Sequence, residues 1–227
     1  MNAAILFLTC AVAASTAAEP QPAPPFPHPA ITEVLFNVPK LNADANHDGA
    51  RDATSDEFVE LINPHDKPIN LLGYRIASRL IWANPTGKQG VTFTFPDFTL
   101  APGEIVVIFN GHNAAIPGDV GDANAAPAST NESFAGAWVF TMNMPSQNRA
   151  FANGGDFVLL LTPQGQPVDG VVWGNPSVTP PRGNFRLAEV DANPKGSVQR
   201  TAADADLDAH ATINGSTCSP GEIPAAK

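Results

Sequence analysis

The sequence predicts an all-β fold, a β-sandwich of two packed sheets made from about nine or ten short strands with two long loops. Three observations predict it. The apolar runs are short, and 23 prolines and 18 glycines are spread among them as punctuation rather than as a repeat. Several runs alternate with the period of two that puts one face of a strand on a core, as in Val91-Thr92-Phe93-Thr94-Phe95. No segment carries a helical period over some twelve residues.

The elements follow in order. Residues 1–18 read as an export signal. The apolar run from Ile5 to Ala14 is followed by small residues to Ala17 and Ala18, then by Glu19. The run is too short to span a bilayer, and no Lys or Arg precedes it, so only the amino terminus supplies positive charge. A Pro-rich leader occupies 19–29, a single sandwich domain 30–222 and a tail 223–227. Strands are expected at 31–38, 57–63, 71–78, 91–95, 105–110, 138–142, 157–162, 168–173 and 197–201, with a weaker one at 211–213. The run Phe157-Val158-Leu159-Leu160-Leu161 is apolar throughout and predicts a strand covered on both faces. Thr162-Pro163-Gln164-Gly165-Gln166 reads as a tight hairpin and Ala101-Pro102-Gly103 as a second turn, each with proline presetting φ and glycine free to take a positive one. Residues 111–136 and 174–196 break the rhythm, rich in Ala, Asn, Gly and Pro, and are expected as long loops.

Charge and cysteine content narrow the functions. Twelve basic residues scattered among 22 acidic ones give a net charge of −10, which argues against nucleic acid as a partner. No later segment approaches the roughly 20 apolar residues of a membrane-spanning helix, so the expectation is a secreted protein, extracellular or periplasmic. Cys10 falls in the signal, which leaves Cys218 as an inert thiol without a histidine partner. The five histidines form no close-spaced zinc pair, and neither a Gly-x-Ser-x-Gly elbow nor a phosphate-cradling glycine loop is present. The expectation is therefore a non-enzymatic protein. Asn131 and Asn214 begin N-glycosylation sequons, which carry meaning only in a eukaryotic source.

One stretch carries pointed chemistry. Asp44, Asn46 and Asp48, followed by Gly49, match the first half of an EF-hand calcium loop. Alternate residues of a tightly turning loop point inward, so three side-chain oxygens converge, and Gly49 permits the reversal. Ala50 would add its backbone carbonyl and Asp52 an oxygen, directly or through water. The twelfth position holds Ser55 where an EF-hand has a bidentate glutamate, so Asp56 or Glu57 is expected to close the set around a structural Ca²⁺. The missing ligand favours the weak end of affinities, near the ~10⁻⁴–10⁻³ M of extracellular modules. The competing reading is an Asx-rich surface turn without metal, because Asp, Asn and Gly favour turns in any case.

Four blocks in order carry a family likeness: Asp56-Glu57-Phe58-Val59-Glu60-Leu61-Ile62-Asn63-Pro64 with Asn70-Leu71-Leu72-Gly73-Tyr74; Phe95-Pro96-Asp97-Phe98-Thr99-Leu100-Ala101-Pro102-Gly103-Glu104; Asn153-Gly154-Gly155-Asp156-Phe157-Val158-Leu159-Leu160 with Gln166-Pro167-Val168-Asp169-Gly170-Val171-Val172-Trp173-Gly174; and Ser197-Val198-Gln199-Arg200-Thr201 with the exit turn Ser219-Pro220-Gly221. Together they resemble the lamin-tail domain family, especially its exported bacterial members, over roughly 30–222. The resemblance implies an immunoglobulin-like sandwich used for adhesion or as an accessory module, with no catalytic residues to carry over. Tyr74 and Trp173 are expected in the core. A sugar-stacking role is the competing reading for Trp82, Trp138 and Trp173. The leading expectation is a calcium-stabilised binding or adhesion module whose partner is an extracellular or envelope protein or a polysaccharide. The alternative is an exported hydrolase or nuclease accessory protein with a metal-dependent site.

Overall fold

Thirteen strands form among the residues that the computed structural model describes, 28–41 and 43–224. The expected export signal, most of the leader, Cys10 and the last three residues lie outside the described residues. In chain order the strands are β1 (Ala30–Leu35), β2 (Phe58–Ile62), β3 (Ile69–Asn70), β4 (Arg75–Ser78), β5 (Thr92–Thr94), β6 (Thr99–Leu100), β7 (Ile105–Phe109), β8 (Trp138–Thr141), β9 (Gly155–Leu161), β10 (Pro167–Gly174), β11 (Arg186–Val190), β12 (Val198–Gln199) and β13 (Asp208–Ala209). Two short α-helices, α1 (Arg79–Ala83) and α2 (His210–Ile213), and a single 3-10 turn at Glu132–Phe134 complete the set.

One sheet has six strands in the order β13-β12-β1-β2-β7-β8, a second has five in the order β11-β10-β9-β4-β5, and β3 pairs with β6 alone. This is the immunoglobulin-like sandwich expected from the sequence. Period two sorts the side chains. Val59, Leu61, Val106 and Ile108 of the six-stranded sheet meet Ile76, Val158, Leu160 and Val171 of the five-stranded one in a shared core. Fully burying each such side chain stabilises the fold by roughly 1.5–3 kcal/mol. Trp173 lies in this core, stacked on Phe36 with centroids 4.0 Å apart and donating its indole N–H to the Ala152 carbonyl at 3.0 Å. Tyr74 is buried too, its hydroxyl 2.7 Å from His28 Nδ1.

Both sheets are also covered on the outside, which accounts for the wholly apolar strand. Phe157, Leu159 and Leu161 of β9 face outward and are capped by Ile81, Trp82, Phe185 and Leu187. Leu35, Phe58, Val107 and Phe109 face outward from the other sheet and are capped by Ala43, Ala45, Phe134 and Ala137. The two long irregular segments thus act as lids on the sheets. Within the first of them, buried Asn131 donates to the Pro117 carbonyl at 2.7 Å and accepts from Ser133 N–H.

Three details differ from the sequence expectation. Segment 174–196 is not wholly loop: β11 lies within it and pairs in parallel with β10, an arrangement that needs no local alternation of its own. Residues 211–213 belong to α2 rather than to a strand, the pairing being made just before them by Asp208 and Ala209. The run 71–78 is divided by Gly73 at φ +77, so only its second half is strand. Both predicted turns form. Gly165 N–H closes on the Thr162 carbonyl at 2.8 Å, and Glu104 N–H on that of Ala101 at 3.1 Å.

Candidate calcium loop

The acid-rich segment hangs between β1 and β2. Ala43 and Ala45 press into the outer core and fix its path, while Arg51 clamps its base by donating to the carbonyls of Pro39 (2.8 Å) and Val38 (2.6 Å). Between these anchors the backbone turns through residues of positive φ, His47 at +56° and Gly49 at +91°. The His47 ring lies flat on Phe134, centroids 4.8 Å apart.

The predicted ligands occupy this turn in nested fashion. Asp44 Oδ2 accepts from Gly49 N–H at 3.1 Å, Asn46 Oδ1 from Asp48 N–H at 3.0 Å, and Asp48 Oδ1 from Ala50 N–H at 3.0 Å. Asp52 caps the following turn, accepting from Thr54 and Ser55 N–H at 2.8 Å each. Those bonds, the Ser55 one first, hold its carboxyl below the usual range although burial opposes them. Asp56 closes the loop from the far side, with Oδ1 accepting from Asn46 N–H at 3.0 Å and Oδ2 from Asp52 N–H at 2.6 Å. Its carboxyl is raised, by burial first and by the charge of Asp44 among the smaller causes.

Glu57 faces away. Its carboxylate accepts from Phe151 N–H at 3.0 Å and from the Asn110 amide at 3.3 Å, and burial raises it well above the ordinary glutamate value. Of the two candidates for closing the set, Asp56 is therefore the one on the loop. Ala50 is exposed, as expected of a residue offering only its backbone.

Among the described residues no three His, Cys, Asp or Glu side chains gather into a metal-holding group. An EF-hand-like set, however, draws on an asparagine and a backbone carbonyl as well as carboxylates. Within the loop Asp44 Oδ1 is buried and has no hydrogen-bond partner. An orphaned carboxylate oxygen is costly, and an ion is one of the few things that relieve it. The hydrogen bonds made use one lone pair on each accepting oxygen of Asp44, Asn46, Asp48 and Asp56 and leave another available, whereas Asp52 Oδ1 is taken up by two N–H groups. The donor chemistry, all oxygen, suits a hard divalent cation rather than zinc.

Cys218 lies half-buried behind this region. Burial first, then the charge of Glu33, pushes its thiol up to about 12, so it is protonated at neutral pH and no nucleophile. Not marked in the sequence either is a cavity of about 990 Å³ beside the β9–β10 turn, walled by residues as far apart in the chain as His28 and Phe185. No local spacing marks such a site.

The comparisons agree with the fold. The family model described as Lamin Tail Domain matches residues 27–175. No curated protein matches the chain.

Proposed function

Because the chain belongs to the Lamin Tail Domain family, an immunoglobulin-like and typically non-catalytic domain, we propose that it is an exported binding module whose β1–β2 loop is held by a structural calcium ion. Asp44, Asn46, Asp48, the Ala50 carbonyl and Asp56 would hold the ion, with Asp52 reaching it through water. The single observation that carries the reading is the buried, unpartnered Oδ1 of Asp44 at the head of a 44-46-48 oxygen series. The ion's charge would offset the repulsion among the loop's carboxylates, and its binding energy would add to the stability of the folded chain by mass action. Export is supported by the order of residues 1–19, and the binding role by the family and by the acidic, lid-covered sandwich. No helix among the described residues is long and apolar enough to cross a membrane.

Thermal melting in millimolar calcium and in excess chelator tests this. Calcium at about ten times its Kd should add roughly 1.4 kcal/mol, a shift of a few degrees. Asp48→Ala should melt at the same temperature in both conditions. An unchanged melting temperature for the unaltered chain across that range would remove the metal.

A further inference from the structure

The large cavity beside the β9–β10 hairpin has chemistry of its own. At about 990 Å³ it stands at the top of the range for ligand sites, roughly 300–1,000 Å³, which suits an extended ligand rather than a single small group. Half-buried Trp82 and Phe185 stand in its wall and bring aromatic surface to it. Pro68, Pro163, Pro167 and Pro181 also line it. Proline has no backbone N–H, so these walls offer little for an extended peptide to pair with. Recognition is left to side chains: the amides of Gln164 and Gln166 and the guanidinium of Arg182, which are exposed and make no hydrogen bond or ion pair among the described residues. Planar amide and guanidinium groups match adjacent hydroxyls and carboxylates in pairs. Among the described residues no Asp or Glu lines the cavity, and Arg182 is the basic side chain in its wall. His28 does not add a second charge, because burial and then the charge of His65 lower its pKa.

We propose that this cavity binds an acidic oligosaccharide, its sugar rings packing on Trp82 and Phe185 and a hexuronate carboxylate meeting Arg182. The proposal rests on the reading of the chain as a non-catalytic binding module and names the ligand class for it. An apolar ring face meets the aromatic wall, hydroxyls meet the amides, and Arg182 sets the preference for a charged sugar.

Isothermal titration of the full chain with a short oligogalacturonate, a neutral gluco-oligosaccharide of equal length, and a peptide of residues 19–27 decides it. The acidic oligomer should bind, and at least tenfold more tightly than the neutral one, one charge-assisted contact being worth that much. Trp82→Ala should weaken it tenfold or more. Should that variant melt early because Trp82 also caps the outer core, exposed Arg182→Gln serves instead and should abolish the preference for the acidic over the neutral oligomer. Equal binding of both oligomers, an unaltered preference in Arg182→Gln, or binding of the peptide in their place overturns the proposal. Measuring new reducing ends in the same samples separates the two readings. Cleavage would sink the non-catalytic module, whereas an intact, unbound oligosaccharide would sink only the cavity assignment.

Discussion

Gly49 and Gly111 show how one atom can be costly for two different reasons. Gly49 sits at φ +91, yet a Cβ placed on it would meet nothing within 4 Å. Gly49→Ala should therefore cost only backbone strain, about 1–2 kcal/mol. Gly111, at φ +66, would carry the same strain and also place its Cβ 1.9 Å from Thr141 Oγ1. Thr141 Oγ1 accepts from Asn143 N–H at 3.1 Å, so it cannot step aside without breaking that bond. Gly111→Ala should lose at least a further 1 kcal/mol or so. Urea denaturation with an unchanged slope checks the order, and equal losses would refute it. Gly49→Ala should also reduce the rise in melting temperature that calcium gives, because relieving the strain at φ +91 would turn the residue-49 N–H away from Asp44. The 44-46-48 spacing and Gly49 were legible in the sequence because the loop is built from neighbours. The choice between Asp56 and Glu57 was not. Consecutive side chains entering a strand point to opposite faces, and only the position of β2 decides which one meets the loop.

At the level of elements, legibility followed the source of each strand's pattern. Val91 to Phe95 alternate because Phe93 and Phe95 face the shared core, and Phe157 to Leu161 are apolar throughout because lids cover the outer face of β9. β11 stayed hidden since Arg186, Ala188 and Glu189 break any such signal, and its place is given by parallel pairing with β10. What holds that edge together is also non-local. Asp169 of β10 is buried and receives the guanidinium of Arg186, 3.0 Å from its Nε, and the N–H of Ile31 in the opposite sheet at 2.8 Å. One carboxylate therefore ties the edge strand to β10 and the two sheets to each other. Asp169→Ala should cost about 3 kcal/mol, since it strands a buried N–H and unpairs a cation that is itself one-third exposed and so partly relieved by water. Hydrogen exchange should then show the amides of β11 and of Ile31 losing protection together. Loss confined to β11 would contradict the inter-sheet tie.

For the molecule as a whole, the most exacting feature is a pair of carboxyls buried side by side in the middle of the six-stranded sheet. Glu33 of β1 and Glu60 of β2 are direct cross-strand partners, both fully buried, and together they pin the exit turn of the chain. Glu60 accepts from Thr32 Oγ1 at 2.6 Å and from Gly221 N–H at 2.8 Å, while Glu33 accepts from Ser219 N–H at 3.1 Å and from the Ser197 hydroxyl. Oε2 of Glu33 has no partner. Burial pushes both carboxyls up, Glu60 to about 8, and the charge of Glu60 raises Glu33 further, because two like charges at this distance resist ionising together. The sign follows. A carboxyl whose folded value lies above its unfolded one favours folding in its protonated form, so this stabilisation is complete below about pH 4.5 and is lost as pH rises toward 8. Buried His210 works in the other direction: its lowered value gives stability that is present above pH 6.5 and lost below it. Comparing the unaltered chain with Glu60→Gln cancels the histidine contribution. In chelator, the melting temperature of the unaltered chain should fall relative to the variant between pH 5 and pH 8.5. Glu60→Gln should melt close to the unaltered chain at pH 5, where the protonated carboxyl and the amide each present one carbonyl acceptor and one donor to Thr32 and Gly221, and should be the more stable of the two by pH 8.5. Two parallel curves over that interval would mean that the pair does not titrate there, and that the exit turn is held by its hydrogen bonds alone.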